Sequence, residues 1–140
     1  MGLDQTFQRI RPGVPEDYEN ENENEYCYMR NHEHIHEWIG RTLGVDPNED
    51  EYIYLSLEEM KELLDRVEKV AAAYLQSYEL GVKTAFELLP SSGRFDESDY
   101  SAFYVEQIDE DKELLTMLIE KAEEDEKDGD YVEFEYIGWC

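Results

Sequence analysis

Tyr131-Val132-Glu133-Phe134-Glu135-Tyr136-Ile137 alternates side by side: Val132, Phe134 and Tyr136 fall on one face, Glu133 and Glu135 on the other. Period two with one apolar and one acidic face predicts a strand of an antiparallel sheet, packed on one side and open to water on the other. Upstream, Ser56-Leu57-Glu58-Glu59 has the form of a capping box. It opens the clearest helix of the chain, where Leu57, Met60, Leu63, Leu64, Val67, Val70, Ala71, Tyr74, Leu75 and Tyr78 recur at helical spacing. That helix is expected to run to about Leu80, with Gly81 near its end.

Working outward, Leu3 to Ile10 reads as a strand with Leu3 and Phe7 on a common face, ended by Arg11-Pro12-Gly13-Val14-Pro15. Glu16 to Glu25, with its Glu-Asn alternation, reads as an acidic loop. Tyr28 to Leu43 reads as a helix closed by Gly44. Tyr52 to Leu55 is a candidate short strand, and Ala85 to Leu89 a helical turn stopped by Pro90. Ser98 or Asp99 is a candidate cap for a helix through Tyr104. A further helix carries Leu114, Leu115, Leu118, Ile119 and Ala122 to about Lys127. The expectation is one α+β domain over residues 1–140. Two or three antiparallel strands carry three or four helices on one face, with the terminal strands as neighbours.

Charge sets the functional reading. Asp and Glu number 37 against 12 Lys and Arg, a formal charge of −25 on 140 residues. Duplex DNA carries one charge per ~1.7 Å of axis, so this charge matches roughly 40 Å of duplex. A compact chain of this length has a radius of gyration of about 14 Å, so its charge per length is of the same order. Direct binding to nucleic acid or to anionic membranes is therefore not expected. A basic protein that itself binds nucleic acid is the expected partner. The chain is also 41% hydrophobic with 11 Tyr, too apolar for a disordered acidic tail. It has no apolar run of membrane-spanning length and no signal-type N-terminus, so a cytoplasmic location is expected. Cys27 and Cys140 are expected as reduced thiols.

Four acidic clusters are candidates for the partner-binding surface. They supply Glu16, Asp17, Glu19, Glu21, Glu23 and Glu25; Glu49, Asp50 and Glu51; Glu110 and Asp111; and Glu120, Glu123, Glu124, Asp125 and Glu126. The plain alternative is a solvated face. A homodimer would lengthen any such surface.

The only other chemical constellation is Asn31-His32-Glu33-His34-Ile35-His36-Glu37-Trp38, which holds all three histidines. On a helix, His32 and His36 share a face at i, i+4. With Glu33 they form His-Glu-x-x-His, a zinc-hydrolase pattern. A surface helix with one His against Trp38 explains the same residues. Gly-x-Ser-x-Gly, Walker A, Gly-x-Gly-x-x-Gly and EF-hand patterns are missing, and Asp96, Glu97 and Asp99 read as loop and cap carboxylates. The favoured reading is not an enzyme and needs no metal or cofactor. The alternative is a small metal- or nucleotide-binding enzyme built on the His32/His36 helix or the Pro90 to Tyr100 loop.

Met1-Gly2-Leu3-Asp4, Asn31 through His36-Glu37-Trp38, Leu88-Leu89-Pro90-Ser91-Ser92-Gly93 with Asp99-Tyr100, and Tyr136-Ile137-Gly138-Trp139 resemble a family of small tailed-phage and prophage proteins. Glu37 stands where that family usually has Lys, and Gly93-Arg94-Phe95 replaces a Gly-Phe-Phe stretch. The resemblance carries over no catalytic residue. It implies a phage accessory protein acting in the host cytoplasm. With the charge, it points to an inhibitor of a nucleic-acid-binding host defence protein, of restriction or CRISPR type, working through a DNA-mimic-like surface.

Overall fold

A computed structural model describes residues 3–10, 26–47, 53–89, 102–127, 129 and 132–139. In chain order these form β1 (Asp4–Ile10), β2 (Tyr26–Arg30), α1 (Glu33–Leu43), β3 (Ile53–Ser56), α2 (Leu57–Gln76), α3 (Tyr78–Leu88), α4 (Ala102–Lys127) and β4 (Glu133–Trp139). The strands make one antiparallel sheet in the order β2-β1-β4-β3. The α+β architecture and the pairing of the terminal strands follow the sequence reading. The sheet has four strands rather than two or three.

The apolar faces decide the layers. Phe7 pairs with Tyr136 and with Cys27, Ile53 with Tyr136, and Leu55 with Phe134. All are buried and belong to one hydrophobic cluster with Ile35 and Ile39 of α1, Met60, Leu63 and Val67 of α2, and Ile108, Leu115 and Leu118 of α4. The helices therefore cover one face of the sheet. Each fully buried Leu, Ile or Phe side chain contributes about 1.5–3 kcal/mol.

Local chemistry explains the boundaries. The Ser56 hydroxyl accepts the Glu59 N–H at 3.1 Å, and the Glu59 carboxylate accepts the Ser56 N–H at 2.9 Å. That completes the capping box at the start of α2. Gly44 ends α1 in the left-handed region, at φ 65°, where a Cβ would be strained.

Four expectations need correction. Residues 26–30 are a strand, not the start of a helix: Cys27 and Met29 are buried while Tyr28 and Arg30 are exposed, a period of two. The helix expected to reach Leu80 stops at Gln76. Ser77 is extended, and its hydroxyl caps α3 by accepting the Leu80 N–H at 3.0 Å. The two expected helices at the C-terminal end are one, α4. Lastly, Glu135 is buried at 3% exposure. β4 is an inner strand, so Glu135 is flanked on its own face by Gln8 of β1 and Tyr54 of β3.

Candidate functional site

The chain turns sharply between β2 and α1, and the turn decides where the histidines go. Asn31 takes φ 63°, a left-handed conformation that Asn tolerates better than most residues. Its N–H donates to the Leu3 carbonyl at 2.7 Å, and its side-chain oxygen accepts the Leu3 N–H at 2.8 Å. Gln5 then takes over the role of a strand partner. Its amide oxygen accepts the His32 N–H at 2.8 Å, and its amide nitrogen donates to the His32 carbonyl at 2.9 Å. From α4, Gln107 donates to the Asn31 carbonyl at 3.2 Å. Three carboxamides thus supplement the few backbone bonds that this corner makes.

His32 is the N-cap of α1, and His34 and His36 lie in its first turns. All three rings are buried, at 2%, 2% and 7% exposure. The corner aims His32 and His34 at α4. His32 Nδ1 lies 2.5 Å from Asp111 Oδ1, and His34 Nε2 lies 2.6 Å from Asp111 Oδ2. Each imidazole takes one oxygen of a single carboxylate that is 0% exposed. The rings stack at 5.6 Å between centroids, and Tyr104 meets His34 edge-on at 5.0 Å. Burial pushes the Asp111 carboxyl up. The charge of His34, hydrogen bonds from His32 and His34, and the charge of His32 outweigh it and hold the group below its ordinary value.

His36 has a separate environment. Its Nδ1 lies 2.7 Å from the Tyr136 hydroxyl, which accepts from Gln5 at 3.0 Å. Gly138 makes room: a Cβ there would stand 2.8 Å from both Cε1 and Nδ1 of His36.

The expected His32/His36 pair is therefore not the unit the fold assembles. His32, His34 and Asp111 are brought together, with their ligating atoms all within 4.8 Å of one another, and His36 is directed elsewhere. The surface helix with one His against Trp38 is equally set aside, because none of the three rings is at the surface. Asp111 was expected on a partner-binding surface. It is instead buried in an ion-pair network, because it lies on the apolar stripe of α4, in phase with Ile108, Leu115, Leu118 and Ala122.

The acidic face sits on the opposite side of α4. Glu106, Asp109, Glu110, Glu113, Glu120 and Glu124 are exposed. At 100° per residue they share one face, away from the buried stripe. None of the six forms an ion pair with a described residue. Glu126 is exposed further round the helix, and Glu123 is tied to Lys61 of α2 at 3.6 Å. The outer face of α2 has mixed charge, with Lys69 on Asp65 at 2.8 Å and Arg66 on Glu62 at 3.5 Å. Glu16, Asp17, Glu19, Glu21, Glu23, Glu25, Glu49, Asp50 and Glu51 lie outside the described residues, as do the Pro90 to Tyr100 loop and the side chain of Asp125.

Cys27 is buried beneath this helix. Burial first, then the charges of Asp111 and Glu110, push its thiol up to about 12. Among the described residues, no helix is long and apolar enough to cross a membrane. No family model, no curated protein and no solved structure matches the chain.

Proposed function

We propose that the protein binds a basic, nucleic-acid-binding host protein through the acidic face of α4 and occupies the place of a nucleic-acid backbone. On this reading it is a phage accessory protein that counters a restriction or CRISPR-type defence in the host cytoplasm. It does no chemistry on its partner.

One observation carries the reading. The six exposed carboxylates from Glu106 to Glu124 lie along a single helix. At 1.5 Å rise per residue they span ~27 Å, about one charge per helical turn. Phosphates along one DNA strand advance ~3.4 Å each, so the stripe is within a factor of two of that density. A helix packed on α2 and the sheet holds these charges in fixed register, and the formal charge of −25 adds a long-range field of the same sign.

Competition tests it. A panel of restriction and CRISPR-type effector proteins, each bound to labelled duplex DNA, is titrated with the protein at low and high salt. Displacement is expected for a member of the panel at low salt, falling steeply as salt rises. The exposed-face variant Glu110→Lys, Glu113→Lys, Glu120→Lys should fold and fail to displace. Displacement that survives both high salt and the charge reversal overturns the reading, as does a complex holding effector, DNA and this protein together.

A further inference from the structure

We infer that His32 Nδ1, His34 Nε2 and the Asp111 carboxylate form a binding site for one divalent transition-metal ion of the zinc and iron(II) class. The inference is independent of the acidic-face reading, since the three groups lie on the buried side of α4.

The donor set selects the ion. Two imidazole nitrogens and one carboxylate suit zinc, iron, nickel or copper. Calcium and magnesium favour oxygen ligands throughout, and a site with two imidazoles among three donors disfavours them. The geometry is nearly in place. Metal–nitrogen and metal–oxygen bonds of about 2.0–2.2 Å put tetrahedral ligand atoms ~3.3 Å apart. Here the two nitrogen–oxygen separations are 2.5 and 2.6 Å, and no pair of the three ligand atoms exceeds 4.8 Å. Opening the nitrogen–oxygen separations to that value needs shifts of about an ångström at the ends of side chains. Each ring then carries its proton on the nitrogen facing away from the ion.

The supports are rigid. His32 follows directly from the corner held by Asn31, Gln5 and Gln107, so its backbone is bonded on both sides. His34 sits on the first turn of α1 with Tyr104 against its ring, and Asp111 stands on the longest helix. Three protein ligands in a tetrahedral centre leave one position for water or another small oxygen or nitrogen donor. The negative field of the whole chain draws cations toward it.

The test uses protein purified without a histidine tag and stripped with a chelator, titrated with Zn²⁺ and separately with Co²⁺. One equivalent of Zn²⁺ should bind and raise the melting temperature. Co²⁺ should give a visible spectrum of nitrogen and oxygen ligation with no thiolate band. Asp111→Asn and His34→Gln should each weaken Zn²⁺ binding a hundredfold or more, while Glu110→Gln, an exposed acid beside the site, leaves it unchanged. Substoichiometric uptake by the wild-type protein overturns the inference. So does uptake that persists in both site variants but falls in Glu110→Gln, which marks surface carboxylates as the binders. If the site variants fail to fold, the wild-type Co²⁺ spectrum decides: nitrogen and oxygen ligation supports the site, and no protein-dependent spectrum or a thiolate band overturns it.

Discussion

The side-chain amide of Gln5 is bonded to both backbone groups of His32, accepting from its N–H at 2.8 Å and donating to its carbonyl at 2.9 Å. Gln5 is 0% exposed, so water does not replace it. Its nitrogen also donates to the Tyr136 hydroxyl, which joins the histidine corner to the last strand. The first strand, the β2–α1 corner and the C-terminal strand therefore meet at one side chain.

Gln5→Leu should destabilise the fold through this corner. It keeps the volume but leaves the buried His32 N–H unsatisfied, at a cost of about 1–3 kcal/mol, while the His32 carbonyl still accepts from the Ile35 and His36 N–H groups. A loss of about 1–3 kcal/mol is expected in urea denaturation, with an unchanged slope. A variant within about 0.5 kcal/mol of wild type would show that the corner is held by other means.

Gly138 tests the same region from the other side. It needs no left-handed backbone; it is required because the His36 ring lies against it. Gly138→Ala places a methyl group 2.8 Å from two ring atoms and 3.0 Å from the Tyr136 hydroxyl. His36 is buried and bonded, so it cannot swing aside freely. Overpacking of this kind costs about 1–3 kcal/mol. Adding His36→Ala should recover part of that loss, and a double-mutant cycle measures the coupling. An additive result would place the strain elsewhere.

The sequence showed the elements whose signal is local. The Ser56 and Glu59 pair marks the start of α2, Gly44 the end of α1, and the alternation at 132–136 the last strand, all within a few residues of the feature they specify. β2 was hidden because its alternation lasts only from Cys27 to Arg30 and runs straight into an amphipathic helix. The break at Ser77 carries no Gly or Pro, only a hydroxyl that serves as well inside a helix as at its cap. The site was hidden because its partners are 77 and 79 residues apart. A signal for it did exist. Asp111 falls in register with Ile108, Leu115 and Leu118, and a lone carboxylate on an apolar stripe needs a buried partner. Three histidines grouped on one segment were candidates to supply one.

Cys27 gives the pH dependence. Its folded-state pKa is raised from 9.0 to about 12. A group with a raised folded value contributes stability that is fully present below the unfolded value and is lost as pH rises through the folded one. The window is therefore pH 9 to 12, and the full effect of three units is on the order of 4 kcal/mol. Tyrosine ionisation acts in the same range, so the quantity to measure is the difference between wild type and Cys27→Ala. Cys27→Ala should be the less stable at pH 8, from the lost packing, and the gap should narrow steadily above pH 9. The thiol itself should be silent. In a Cys140→Ser background, a disulfide reagent at pH 8 should show no fast phase until denaturant is added. Rapid labelling of the native protein would mean that Cys27 is reached by solvent.

Salt reports on the acidic face. Glu106, Asp109, Glu110 and Glu113, and likewise Glu120 and Glu124, are three or four residues apart on α4, where like charges lie about 5–6 Å from one another. The Debye length is about 10 Å at 0.1 M and about 3 Å at 1 M, so repulsion at this spacing is only partly screened at 0.1 M. The melting temperature should therefore keep rising between 0.1 and 1 M NaCl, by a few degrees in all. Hydrophobic stabilisation can also respond to salt, and a second protein separates the two effects. Glu110→Gln, Glu113→Gln, Glu120→Gln removes charges without adding any, so it should melt higher than wild type at low salt and show a shallower slope. Equal slopes in the two proteins would mean that these carboxylates do not strain the helix. The fixed, close-spaced line of charge that the proposed partner reads would then be absent.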